Sequence, residues 1–356
     1  MHVAAAMFTP ASLIAVATLA SAPGLFSNSI TRSLARVDMR ARPPWVVEPD
    51  TCVRADREPT VEHNHAAVKP EFALLWSGLP DMYRSRVLVD AHTHVVATDQ
   101  DPFPLSPAAL PGNWYTEAPC SAESLLAKMD GAGVDLAVLV QPVGAYSYDN
   151  RYVATSAAQH ADRFTAACCV DPYGQSPVEE LQRWLDHSGV GGVRFFALSA
   201  ERSWLSDPNT FGLWEQAAAS GAHVIVTVFE SQFDELAGVL GRFRDVAVSL
   251  DHCGFCDIAR PEPLEELARF ENLHLKVTTN VIDAASAAEG TARPLVKRLA
   301  GAFGAERLMW GSDFCQTHDR PYPELVRDGI EAFAALPGPQ QDACLGGTAL
   351  RLWRFG

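Results

Sequence analysis

The stretch VLVDAHTHVV, residues 87–96, decides how the rest of this chain is read. Residues 87–90 have the apolar, β-branched character of a short buried strand, and two histidines follow it, His92 and His94. In extended backbone, residues two apart share a face, so both imidazoles point the same way just past the strand end. Downstream, comparable runs recur at residues 136–141, 165–170, 192–196, 223–228, 246–251, 273–278 and 307–311. Between them lie amphipathic helical stretches. SAESLLAKMDGAG (121–133) has Ser121 as an N-cap and Gly131 or Gly133 near its end. SPVEELQRWLDHSG (176–189) has Ser176 as a cap, Pro177 in the first turn, and Leu181, Trp184 and Leu185 on one face. QFDELAGVLGRF, PLEELARF, RPLVKRLAGAF and YPELVRDGIEAF supply later helices. Alternating strands and helices predict an α/β fold, a (β/α)8 TIM barrel over residues 81–356, close to the roughly 250 residues such barrels take. A doubly wound sheet is the rival, but no G-x-G-x-x-G follows the first strand.

The first 80 residues read differently. From about residue 31 they are rich in Pro, Arg and acids without periodicity, which predicts an N-terminal extension, 1–80, outside the barrel. ASLIAVATLASA (11–22) resembles a signal-peptide core but has no Lys or Arg before it. The expected location is therefore cytoplasmic, with secretion by an N-terminal signal left open. His63 and His65 copy an H-x-H spacing but sit outside any strand pattern and read as a solvated loop.

With 43 acidic against 28 basic residues the chain carries a formal charge of −15, which repels phosphate backbones and anionic lipid. The expected partner is a small-molecule substrate, with no nucleic acid and no membrane, and homo-oligomer assembly is left open. The eight cysteines are scattered and read as buried free thiols rather than a disulfide framework. Cys253 and Cys256 form a C-x-x-C without the second pair of a zinc finger.

Barrel chemistry gathers at the carboxyl ends of the strands, which here carry His92, His94, His252 and Asp313. Arg194, on the fourth strand, suits bidentate capture of a substrate carboxylate or sulfonate, or a salt bridge to a neighbouring acid. Gln141, Tyr148, Asn150 and Arg151 follow strand two and are candidate substrate contacts; His318 and Arg320 follow strand eight. Asp90 and Asp251 each lie near candidate histidines, but alternation turns them away, toward support of the backbone.

VDAHTHV, LDHCG, MWGSDF and the closing GGTALRL resemble the amidohydrolase-related family in order and spacing. VLVQPVGAYSYDNRYV, GGVRFF and the DHCG form of the strand-six motif resemble its lactonase branch, the 2-pyrone-4,6-dicarboxylate lactonase-like members. The resemblance implies a hydrolase acting on a small anionic lactone or cyclic ester. Asp313 would activate water while His92, His94 and His252 polarise the carbonyl by donating hydrogen bonds. Metal-bound members of the family add a histidine on strand five, where AHVIVTV places Thr227. That departure predicts no obligatory cofactor, with zinc on His92, His94, His252 and Asp313 as the open alternative. It also predicts that Thr227→His would strengthen zinc binding. His223, four residues upstream, is expected at the opposite end of the barrel. A metal-dependent decarboxylase of an aromatic or muconate-type acid is the first rival reading, and an inactive barrel with a binding role the second.

Overall fold

The computed structural model describes residues 86–198 and 203–356. The expected extension 1–80, its signal-like run and the His63–His65 pair lie outside the described residues.

Eight strands form one parallel sheet in sequential order: β1 (Val89–Thr93), β2 (Leu136–Val140), β3 (Phe164–Cys168), β4 (Val190–Phe196), β5 (His223–Thr227), β6 (Val248–Leu250), β7 (Leu273–Thr278) and β8 (Leu308–Gly311). Seven junctions are parallel ladders, and β1 meets the chain after β8 through the single bridge Thr93–Phe314. The helices between them are α1 (Ala122–Ala132), α2 (Arg151–Gln159), α3 (Pro177–Leu185), α4 (Phe211–Ser220), α5 (Phe233–Arg242), α6 (Glu262–Glu266), α7 (Thr279–Glu289) and α8 (Arg293–Phe303), with α9 (Tyr322–Phe333) after β8. This is the expected TIM barrel.

Local chemistry accounts for much of this. The strands are buried on both faces, as parallel strands under a helix layer must be, and are correspondingly rich in Val, Ile and Leu. The Ser121 hydroxyl accepts the Ser124 amide at the start of α1, and Gly133, at φ 70°, ends it. Ser176 precedes α3, but its hydroxyl makes no cap bond; Pro177 opens the helix and Leu181 is its buried anchor. Among the described residues seven cysteines are free thiols, six of them buried. No described helix is long and apolar enough to cross a membrane.

Inside the barrel, Val89, Val138, Ile225 and Met309 pack with Trp353 from the C-terminal segment. Trp353 stoppers the amino ends of the strands and rests on β4 at Gly192, where a Cβ would lie 2.7 Å from its ring. His223, at the start of β5, also packs on Trp353, with ring centroids 4.8 Å apart, and so lies at the end of the barrel away from His92, His94 and His252, as expected.

Two irregularities in the strands shape the carboxyl end of the barrel. β1 runs on to Thr93, so His92 lies within the strand rather than past it, and the register shifts between Asp90 and Thr93. That bulge lets Asp90 face the outer helix while His92 faces the lumen. β6 is only three residues long, and the chain after it turns through a left-handed path at His252 (φ 54°), Cys253 (51°), Gly254 (67°) and Phe255 (50°).

Candidate active site

His92, His94, His252 and Asp313 converge at the carboxyl ends of the strands. Asp313 Oδ1 lies 3.5 Å from His92 Nε2 and 3.3 Å from His94 Nε2. The His92 ring centroid is 5.0 Å from that of His94 and 4.9 Å from that of His252. All four are buried. Three are positioned by a local feature: the β1 bulge for His92, the left-handed turn after β6 for His252, and a left-handed φ of 59° at Asp313 itself. The Asp313 amide donates to the His92 carbonyl at 2.8 Å, tying the two sides of the site together.

The outer hydrogen bonds of the three imidazoles set what their inner nitrogens present. His94 Nδ1 lies 2.8 Å from the Val140 carbonyl, which only accepts, so Nδ1 carries the proton. His252 Nδ1 lies 2.8 Å from Thr278 Oγ1, whose own proton goes to Asn280 Oδ1 at 2.6 Å, so here too Nδ1 donates. His92 Nδ1 faces the Asp251 carboxylate at 3.0 Å. His94 and His252 therefore turn Nε2 inward with Nδ1 committed outward, while His92 Nδ1 also lies 3.4 Å from Lys276 Nζ. Burial pushes His92 well below the usual imidazole range, against the pull of Asp251, and burial also lowers His252. Burial works to raise Asp313, while the charge and hydrogen bonding of His252, His94 and His92 draw it down, to about 2.

This arrangement revises one expectation. An uncharged imidazole whose proton is committed through Nδ1 to an outer acceptor has no donor left on Nε2 for a substrate carbonyl. Such rings can instead serve as cation ligands. His92, His94 and Asp313 offer ligand atoms within 4.8 Å of one another, and His92 Nε2 and Asp313 Oδ1 are buried without a hydrogen-bond partner. Nitrogen and carboxylate donors with outer-shell bonds already in place fit a divalent metal such as zinc.

Asp251 does not turn away as alternation suggested. Ser249 meets His223 Nε2 of the neighbouring strand on the lumen side at 3.0 Å, so strict alternation brings Asp251 inward too, and it is His252 that leaves the pattern through the left-handed turn. Asp251 reaches residues of four other strands: His92 on β1, Arg194 on β4, Thr227 on β5 and Lys276 on β7. Burial works to raise its pKa, but His92, Lys276 and Arg194 hold it well below the carboxylate range. Lys276, fully buried, is drawn down to about 8 by burial, partly offset by Asp251. A lysine in the buried run LHLKVT was the available signal for this cluster. Asp90 does support the backbone: Oδ1 accepts the amides of His92 and Ser312, and Oδ2 the Tyr322 hydroxyl.

Thr227 points into the lumen, as expected, but its hydroxyl is occupied, donating to Asp251 at 2.8 Å and accepting from Arg194 Nε at 3.0 Å. An imidazole there would displace Arg194 and break the bond to Asp251, so Thr227→His no longer reads as a gain of zinc affinity. Arg194 realises its salt-bridge reading, with Nη2 3.0 Å from Asp251 Oδ2 and the guanidinium 5.0 Å from the Phe196 ring.

The loop residues divide. Gln141 is buried, its amide nitrogen held by the Ser147 and Asp149 carbonyls and its Oε1 left without a partner. Asn150 is a strut that clamps the backbone of Cys169 from both sides. Tyr148 is half-buried, and burial raises its phenol. Arg151 is exposed and paired with Asp149. His318 meets Glu117 at 3.6 Å, and Arg320 pairs with Asp283, Asp319 and Asp328. Trp114, from the long connection after β1, places its ring 5.5 Å from that of His94 and was not anticipated.

No curated protein matches the sequence. Solved structures share the fold. An amidohydrolase from Burkholderia multivorans with bound zinc is 20% identical, with a TM-score of 0.61 over 76% of this chain and 100% of that one. A candidate 2-pyrone-4,6-dicarboxylic acid hydrolase from Pseudomonas putida is 23% identical, with a TM-score of 0.59 over 75% and 97%. A 5-carboxyvanillate decarboxylase from Sphingomonas paucimobilis is 16% identical, with a TM-score of 0.57 over 76% and 99%. The amidohydrolase family model matches residues 89–355, from the first residue of β1 to the penultimate residue of the chain. That span takes in every strand and all four convergent residues, and the chain therefore belongs to the amidohydrolase family.

Proposed function

We propose that this chain hydrolyses a small anionic lactone or cyclic ester, with His92, His94, His252 and Asp313 as the residues that would hold a divalent cation and Asp313 also handling the proton of the attacking water. The observation that carries this reading is the convergence of His92 Nε2 and His94 Nε2 on the partnerless Asp313 Oδ1, with the His252 ring against that of His92. A cation there would supply Lewis-acid polarisation of the substrate carbonyl and make water more acidic.

The remaining steps belong to the chain. A carboxylate is a weak base near neutral pH, so Asp313 works by orienting water within hydrogen-bond reach and taking up its proton as the carbon–oxygen bond forms. The ring then opens, and the proton passes to the leaving oxygen. Beneath the reacting residues, Arg194 and Lys276 set two cations against Asp251, which offsets the negative charge of Asp313 that an anionic substrate would meet. Burial of all four reacting residues keeps bulk water from the carbonyl. Likeness to a lactone hydrolase of the same fold supports the substrate class. The decarboxylase relative supports the rival.

The test is metal analysis of the full-length chain followed by a screen of lactones and aromatic acids, before and after chelation. Ring opening with proton release is expected, falling at least about a hundredfold on chelation and returning with added zinc. Carbon dioxide release from an aromatic acid would replace this reading with the decarboxylase. Full activity after the metal is gone would restore a cation-free mechanism.

A further inference from the structure

Directly beneath the histidines lies a charged cluster that lactone opening does not consume. Asp251 has no exposed surface, and its two oxygens take five donors. Oδ1 receives His92 Nδ1 at 3.0 Å and Lys276 Nζ at 3.3 Å. Oδ2 receives the Thr227 hydroxyl at 2.8 Å and Arg194 Nε and Nη2, each at 3.0 Å. Apolar side chains would fill the same volume without the large cost of dehydrating three charges. What they could not do is accept the proton of His92.

That ring stands between two carboxylates. Asp251 is 3.0 Å from Nδ1, and Asp313 is 3.5 Å from Nε2. If the proton sat on Nε2 it would bond to Asp313, and both the lone pair and the free carboxylate oxygen would be lost to the site. We infer that Asp251 is a positioning residue that fixes the proton of His92 on Nδ1, and that Arg194 and Lys276, pulling from either side, hold Asp251 in place to do so. The inference rests on the reading of His92 as a cation ligand. Asp251 also lies in a group with His92 and His252 whose geometry would admit an ion, but its contact with His92 Nδ1, at 3.0 Å, has the length of a hydrogen bond. The absent strand-five imidazole belongs to the same design, since a ring at 227 would occupy the space through which Arg194 and Thr227 reach Asp251.

The experiment follows the histidine nitrogens by 15N NMR in the metal-free full-length chain and measures zinc affinity by competition with a chelating dye. Wild type is expected to carry the His92 proton on Nδ1 and, once loaded, to bind zinc through Nε2. Asp251→Asn should move the proton toward Nε2 and weaken zinc binding by at least about tenfold, the lower bound for loss of an outer-shell partner. His94 and His252, whose protons answer to the Val140 carbonyl and Thr278, should not change. Lys276→Met keeps the carboxylate but removes one of the two cations that hold it, and should shift the tautomer and the affinity in the same direction by less than Asp251→Asn does. Should Asp251→Asn fail to fold, the double variant with Lys276→Met removes one charge of each sign and is expected to show the same shift. A wild-type His92 protonated on Nε2, zinc bound through Nδ1, or unchanged affinity in a folded Asp251→Asn overturns the inference. A protein that binds zinc through Nε2 yet opens no lactone removes the substrate assignment and leaves the inference standing.

Discussion

Asp313→Asn should lower turnover by at least about a hundredfold, the scale of losing a general base, while the barrel remains folded. The side chain is nearly isosteric, and the backbone around it is held independently: the Asp313 amide donates to the His92 carbonyl and the Asp313 carbonyl accepts the Thr317 amide, both at 2.8 Å. What changes is the chemistry at Oδ1, which lies 3.3 Å from His94 Nε2 and 3.5 Å from His92 Nε2. An asparagine cannot take up a proton. Its amide nitrogen would also satisfy those two lone pairs directly, so the variant loses its base and closes the cation position together. Steady-state kinetics beside a thermal melt checks this. Near-normal turnover in a folded variant would take Asp313 out of the mechanism.

Gly311→Ala should cost on the order of a hundredfold in kcat/KM although no reacting group is changed. An added Cβ would stand 2.7 Å from His92 Cβ and 3.0 Å from its backbone nitrogen. Neither atom belongs to a flexible side-chain end, so β1 itself must give way, and His92 moves with it. Overpacking of this kind costs about 1–3 kcal/mol of stability. Displacement by about 1 Å is enough for the loss in rate. Gly301→Ala is the control: it lies in α8 with nothing within 4 Å of the added methyl, and should stabilise by up to about 1 kcal/mol with activity unchanged. A folded Gly311→Ala protein with wild-type kcat/KM would show that His92 tolerates the shift.

Asp313 and Gly311 both lie in MWGSDF, which was legible in the sequence, and the eight strands were too, because burial on two faces leaves dense apolar runs. The candidate histidines and Asp313 could be placed from strand ends alone. Asp251 could not be placed by the same rule, since period-two alternation holds only while the strand is regular. At His252 a left-handed turn adds a side chain to the inner face that alternation would send outward. At Asp90 a bulge in β1 does the converse work. The tautomers were further out of reach. They depend on pairs such as His92 with Asp251, 159 residues apart, and His94 with the Val140 carbonyl, which no local pattern encodes. Arg194 shows the same limit: its residue type suited an anion, and only the fold reveals that the anion is Asp251.

The junction between the first and last strands has a bearing on how the protein wears out. Every other pair of neighbours is laced by a ladder, whereas this one is fastened by the Thr93–Phe314 bridge and by the few bonds that Asp90 and His92 send across it. Thermal breathing of a closed cylinder begins at its sparsest lateral join. Here one lip of that join carries His92 and His94 and the other carries Asp313, so the earliest gap to open parts the carboxylate from its imidazoles. Heating would thus silence the enzyme while the remaining staves are still bound together, and its working lifetime would be set by how tightly the hoop is clasped rather than by the strength of the core.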